Sequence, residues 1–133
     1  MSVSLNHTIV HCRDNRASAQ FLSEILGRPA PQTVFGHFEA VELDNGVSLD
    51  FMEVSAEHIA PQHYAFLVSE DEFTAAFAKI EALGIQYWAD PMQRRAGAIN
   101  HNDGGRGVYF PDPDGHLMEL LTRPYGSGRM TGS

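Results

Sequence analysis

One arrangement of elements is written twice along this chain. That duplication restricts the folds open to it more than any single motif. The first copy opens with "SLNHTIVHC" (4–12), whose alternation and β-branched residues predict a strand. "RDNRASAQFLSEILG" (13–27) changes to helical spacing. Phe21, Leu22, Ile25 and Leu26 share one stripe, Asp14 can cap the first turn, and Gly27 ends the helix. "TVFGHFEAVEL" (33–43) and "GVSLDFMEV" (46–54) predict further strands, with "DNG" (44–46) as a hairpin turn. A linker without period, "SAEHIAP" (55–61), follows, and then the order recurs. "QHYAFLVS" (62–69) is a strand. "EDEFTAAFAKIEALG" (70–84) is a helix with Phe73, Phe77, Ile80 and Leu83 as its apolar face. "IQYWAD" (85–90) is a short strand, and "GRGVYF" (105–110) and "GHLMELLT" (115–122) are two more, joined by "PDPDG". His7 and His63 open the copies 56 positions apart, and Gly27 and Gly84 end the helices 57 apart. The second copy carries an extra polar loop, "PMQRRAGAINHND" (91–103); long loops of this kind often cover binding sites.

Against this frame four polar residues stand out. Side chains alternate between the faces of a strand, so His7 shares a face with Leu5 and Ile9, His63 with Ala65 and Leu67, and Glu119 with Leu117 and Leu121. Each is expected on a strand that reads as interior. A carboxylate alone in such a place is very costly, and is normally paired, protonated or metal-bound. Two imidazoles and a carboxylate meeting in one cavity would form a 2-His-1-carboxylate set, suited to Fe(II), Mn(II), Ni(II), Co(II) or Zn(II). Asp50 occupies the last strand of the first copy as Glu119 does in the second, so the four come as two matched pairs. Taken singly, a strand histidine is more often a hydrogen-bonded structural residue, and Glu119 or Asp50 reads as well as a solvated side chain. The joint pattern carries the metal reading. His11, His37, His58 and His116 read as surface or structural residues, and Cys12 as a small buried hydrophobe.

Composition narrows the partners. The 133 residues carry a net charge of −8, which argues against nucleic acid or an anionic membrane. No apolar run approaches the ~20 residues of a membrane span, and "MSVSLNHTIV" lacks the features of a secretory signal. A single cysteine makes no internal disulfide, so a cytoplasmic protein is expected. The expected organisation is one domain, 1–125, with modules at 4–54 and 62–122, followed by a flexible tail, 126–133.

"LNHTIVHCRDNRASAQFLSEILG", "QHYAFLVS" and "YFPDPDGHLMEL" resemble the vicinal oxygen chelate superfamily, also called the glyoxalase/bleomycin-resistance/dioxygenase superfamily. The resemblance covers about residues 4 to 125. It implies an α+β fold of two βαβββ modules forming an open barrel-like cup around a divalent metal, with substrates that chelate the metal through two neighbouring oxygens, and a homodimer. It assigns His7, His63 and Glu119 as metal ligands. Asp50 falls where glyoxalase I enzymes place a second carboxylate, a Glu, one methylene longer. Tyr109, ten residues before Glu119, matches a substrate-contacting Tyr of extradiol dioxygenases and fosfomycin thiol transferases; equally, it could fill the cup wall. "DPMQRRAGAINHNDGGRG" lacks the Lys and Ser pattern of the thiol transferases, having Arg94, Arg95, Asn100, His101 and Arg106 instead. The resemblance therefore implies a metal-dependent lyase, dioxygenase or thiol transferase acting on a small molecule, with Tyr109 and Glu119 at the chemistry. A metal-free antibiotic-binding protein of the bleomycin-resistance kind is the alternative. Arg106 and Arg123 read either as anion-binding or as surface residues, and His101 as a general acid/base or a solvated side chain.

Overall fold

Two helices and two open sheets account for the regular structure, which is a computed structural model that describes residues 2–128. The chain divides into two compact units, Met1–Ala60 and Pro61–Ser133, the division falling within the aperiodic linker.

In the first unit β1 (His7–Cys12) leads into α1 (Asn15–Leu26), followed by β2 (Gln32–Val34), β3 (Phe38–Glu42) and β4 (Ser48–Glu53). The sheet order is β1-β4-β3-β2, with β1 parallel to β4 and the other pairs antiparallel. Asp14 caps α1 by accepting the Ala17 N–H at 3.1 Å, and Gly27 ends it at φ 67°, a left-handed backbone that glycine adopts without steric cost. One face of the sheet joins the core: Val10, Cys12, Val41, Leu49 and Phe51 are buried, as are Ala19, Leu22 and Ile25 of α1. Burying a side chain such as Phe51 contributes roughly 1.5–3 kcal/mol. The segment 33–43, expected as one strand, is two. Phe35 and Gly36 both have positive φ and fold it into a hairpin between β2 and β3.

The second unit repeats the plan in reduced form. β5 (His63–Leu67), α2 (Glu70–Ala82), β6 (Gly107–Pro111) and β7 (Leu117–Leu121) follow in order, and the sheet runs β5-β7-β6, again with a parallel first pair. Ser69 and Glu72 form a reciprocal capping box at the start of α2. Phe73, Ala76 and Ile80 are buried, whereas Leu83, expected on the apolar face, is 55% exposed. The strand expected at 85–90 shrinks to one residue. Trp88 exchanges both backbone hydrogen bonds with Tyr109, and the chain then turns away, because the Asp90 carboxylate gathers the N–H groups of Arg94 and Arg95. The 91–103 loop is pinned by Asn100, which is buried. Its backbone pairs with Gly107, its Nδ2 donates to the Ala89 carbonyl, and its Oδ1 accepts from the Asn102 N–H. A Cβ at Gly107 would meet the Asn100 amide at 2.7 Å, so this close approach requires glycine. Arg106 is committed to α2: it donates to the Glu70 carboxylate and carbonyl and to Thr74 Oγ1, and lies over the Phe73 ring. That geometry makes Arg106 a tie between loop and helix.

Of the expected tail, residues 126–128 are described and are hydrogen-bonded to the body of the unit; residues 129–133 lie outside the described residues. No helix among the described residues is long and apolar enough to cross a membrane.

Candidate metal centre

Strand register shows the duplication at the level of single residues. In the first unit Ile9, two residues after His7, lies opposite Asp50. In the second, Ala65, two residues after His63, lies opposite Glu119. Asp50 and Glu119 are therefore structural counterparts, each on the strand parallel to the one its histidine opens. On the antiparallel side Glu119 faces Tyr109, and Asp50 faces Ala40.

The two pairs differ in surroundings. Glu119 is 1% exposed. The expectation of an interior position fails for both histidines, His7 and His63, which are exposed, and for their neighbours Leu5 (67% exposed), Ile9 (45%) and Leu67 (61%). The physical reason is that they occupy the strand faces opposite the ones that bury Val10 and Cys12 in β1 and Phe66 in β5. Asp50 is half-buried and accepts a hydrogen bond from Ser48 Oγ at 2.9 Å.

Around Glu119 the second unit assembles a connected set. His63 Nε2 lies 3.0 Å from Oε1. The Tyr125 hydroxyl donates to Oε2 at 2.6 Å, and the Tyr109 and Tyr125 hydroxyls are 3.0 Å apart. The Tyr109 ring stacks with the His63 ring, centroids 5.9 Å apart. Burial, the largest cause, pushes the Tyr109 hydroxyl above its ordinary range, with the Tyr125 hydrogen bond opposing it and the Glu119 charge adding to it. Tyr125 is pushed up further, by burial and then by its bonds to Glu119 and Tyr109. Its ring is 63% exposed, but the hydroxyl end is tucked against Glu119, and that end is the one whose ionisation is penalised. Both phenols stay protonated at neutral pH and act as hydrogen-bond donors.

The imidazoles carry a further signal. His63 Nδ1 lies 2.9 Å from the Leu117 carbonyl, and His7 Nδ1 lies 2.7 Å from Asn6 Oδ1. Both oxygens only accept, so each ring carries its proton on Nδ1, and the neutral ring presents Nε2 as a lone-pair donor. This is the arrangement in which ligating histidines are held by an outer partner. His63 Nε2 and Glu119 Oε1 lie 3.0 Å apart, an imidazole nitrogen and a carboxylate oxygen close enough to ligate one ion. The donor set thus fits a divalent ion. Among the described residues the structure groups two such donors here, and no cluster of three His, Cys, Asp or Glu side chains occurs.

Tyr125 was not among the residues singled out in the sequence. It stands six positions beyond Glu119 in "RPYGSG", at the edge of a stretch whose small polar residues read as tail. The available signal was an aromatic residue with a polar tip immediately before spaced glycines.

Comparison with known proteins places this geometry in context. The family model of the Glyoxalase/Bleomycin resistance protein/Dioxygenase superfamily matches residues 4–120. The solved structure of Oxidase ChaP-H2 is similar with 58% identity and a TM-score of 0.92, over 96% of this chain and 99% of that one. Glutathione transferase FosA of Serratia marcescens is 30% identical over 127 residues, 90% of this chain and 81% of that protein. Metallothiol transferase FosB of Lysinibacillus sphaericus is also 30% identical over 127 residues, with 90% and 82% coverage.

Proposed function

Because this chain belongs to the Glyoxalase/Bleomycin resistance protein/Dioxygenase superfamily, we propose that it is a divalent-metal-dependent oxidase acting on a small molecule that offers two neighbouring oxygens. The observation that carries the proposal is the buried Glu119 with His63 Nε2 3.0 Å from its Oε1, a carboxylate and an imidazole close enough to ligate one cation. The 58% identity to a protein named an oxidase supports oxidation over thiol transfer, as does a loop without the thiol transferases' Lys and Ser pattern.

In this reading His63 and Glu119 would hold the ion in the second unit, and His7 with Asp50 form the counterpart donor pair of the first. When bound, the ion would polarise the chelating oxygens and, as iron(II), the usual partner of a 2-His-1-carboxylate set, would relay electrons from the substrate, which is oxidised, to dioxygen, which is reduced. The protein's own groups do the rest. The Leu117 carbonyl and Asn6 Oδ1 hold the Nδ1 sides of the His63 and His7 rings. Tyr125 gives its one hydroxyl hydrogen to Glu119, so Tyr109, stacked on His63, donates to Tyr125 and presents its lone pairs to a substrate hydroxyl. The metal-free binding alternative is disfavoured because sequestering a drug does not need an imidazole and a buried carboxylate 3.0 Å apart.

The test is anaerobic loading with iron(II), followed by oxygen uptake with a panel of catechols, hydroquinones and α-hydroxyketones. Uptake is expected, and is expected to fall by at least about 100-fold in Glu119→Gln and His63→Ala, the scale on which loss of a catalytic group acts. If the loaded protein consumes no oxygen with any chelating substrate but turns over fosfomycin with glutathione, the oxidase reading is wrong.

A further inference from the structure

A carboxylate at the end of a Glu side chain turns easily about its last bond, because that torsion is broad rather than three-welled. Burial alone does not set which way its oxygens point. Glu119 has Oε1 toward His63 Nε2, and on its other oxygen the Tyr125 hydroxyl, 2.6 Å from Oε2, constrains the turn of the carboxylate. Tyr125 lies beyond β7, outside any helix or strand, so something else must hold it. That something is Asp103, on the loop peculiar to the second copy. Its Oδ2 accepts the Gly126 N–H and its Oδ1 the Gly128 N–H, each at 3.1 Å. The approach is so close that a Cβ at Gly128 would lie 2.5 Å from the Asp103 backbone. The Tyr109 hydroxyl, 3.0 Å from that of Tyr125, closes the set.

We propose that Tyr125 is a positioning residue that fixes the Glu119 carboxylate for a metal ion, and that Asp103 acts through it by clamping the backbone on which Tyr125 is carried. The proposal rests on the reading of Glu119 as a ligand. The long loop and the segment after β7 are thereby one device. The loop holds the segment, the segment carries the hydroxyl, and the hydroxyl orients the carboxylate. Outer partners of this kind change metal affinity without touching the metal.

The experiment is anaerobic calorimetric titration with Co(II), together with the visible absorption spectrum of the Co(II) form, for the wild type, Tyr125→Phe, Asp103→Asn, their double variant and Glu119→Gln. Tyr125→Phe keeps the exposed ring and removes only the hydroxyl. It is expected to bind Co(II) about 10- to 100-fold more weakly and to shift the absorption bands, since the carboxylate reorients. Asp103→Asn is expected to weaken binding in the same direction. The double variant is expected to be no weaker than Tyr125→Phe alone, because the first residue acts through the second. If Tyr125→Phe melts below the assay temperature, Asp103→Asn, which keeps both tyrosines, decides the matter. Wild-type affinity and spectrum in the Tyr125 and Asp103 variants, with Glu119→Gln impaired, overturns the positioning role and leaves the metal reading standing. A wild type that binds no Co(II), or binds it no better than Glu119→Gln, overturns both.

Discussion

Two carboxylates in the second unit are buried, and the protein treats them differently. Glu119 has a partner on each oxygen. Asp112, in the turn before β7, has partners on one: Oδ1 accepts the N–H groups of Asp114 and His116, whereas Oδ2 is buried without a partner. Burial is the largest influence on Asp112 and pushes its carboxyl above the ordinary 3.8, against the backbone donors and the nearby His116 that favour the charge. The folded protein thus holds this proton more tightly than the unfolded chain does. Its contribution to stability is fully present below pH 3.8 and is lost as the pH rises through the folded value. Asparagine keeps the Oδ1 acceptor and cannot ionise. The stability of Asp112→Asn relative to wild type is therefore expected to increase as the pH is raised from 4 towards 7, measured by urea unfolding. A difference independent of pH would show that Asp112 does not titrate as its burial requires.

Among the elements, the helices were the most legible. Asp14 and Gly27 at the ends of α1 and Ser69 with Glu72 at the start of α2 are local signals, because capping depends on neighbours within one turn. The 33–43 hairpin was not legible. Phe35 is an unfavourable residue for positive φ, and the pairing of β2 with β3 holds it there. The reduced strand at Trp88 was hidden for a related reason. Its apolar residues read as β structure, but Asp90 draws the chain into the loop. That loop should depend on Asn100. Asn100→Ala leaves the Ala89 carbonyl and the Asn102 N–H without their side-chain partners, and is expected to cost about 1–3 kcal/mol by denaturant unfolding. An unchanged midpoint would mean the loop does not depend on the Asn100 side chain.

For the molecule as a whole, each unit leaves apolar side chains in water. Ile9 is 45% exposed on β1 and Leu67 61% exposed on β5. Apolar groups on open sheet faces gain by association, as the homodimer implied by the family resemblance would allow. Sedimentation equilibrium is expected to show a dimer, and Leu67→Glu to shift it toward monomer. A monomeric wild type at high micromolar concentration would contradict this.

The amino-acid sequence alone determined the duplicated plan, the two helices with their caps, and the matched histidine and carboxylate of each copy. These follow from periodicity and from residue types at corresponding positions, which are properties of short stretches. It did not determine which of the four is buried, because burial depends on the face a helix covers. Glu119 is shut in whereas His7 and His63 lie open, though all three read as interior. Nor could it show Tyr125 reaching Glu119, or Asp103 holding the segment that carries Tyr125. Those contacts join a loop, a strand and the segment after it, and only the folded backbone brings them within hydrogen-bond distance.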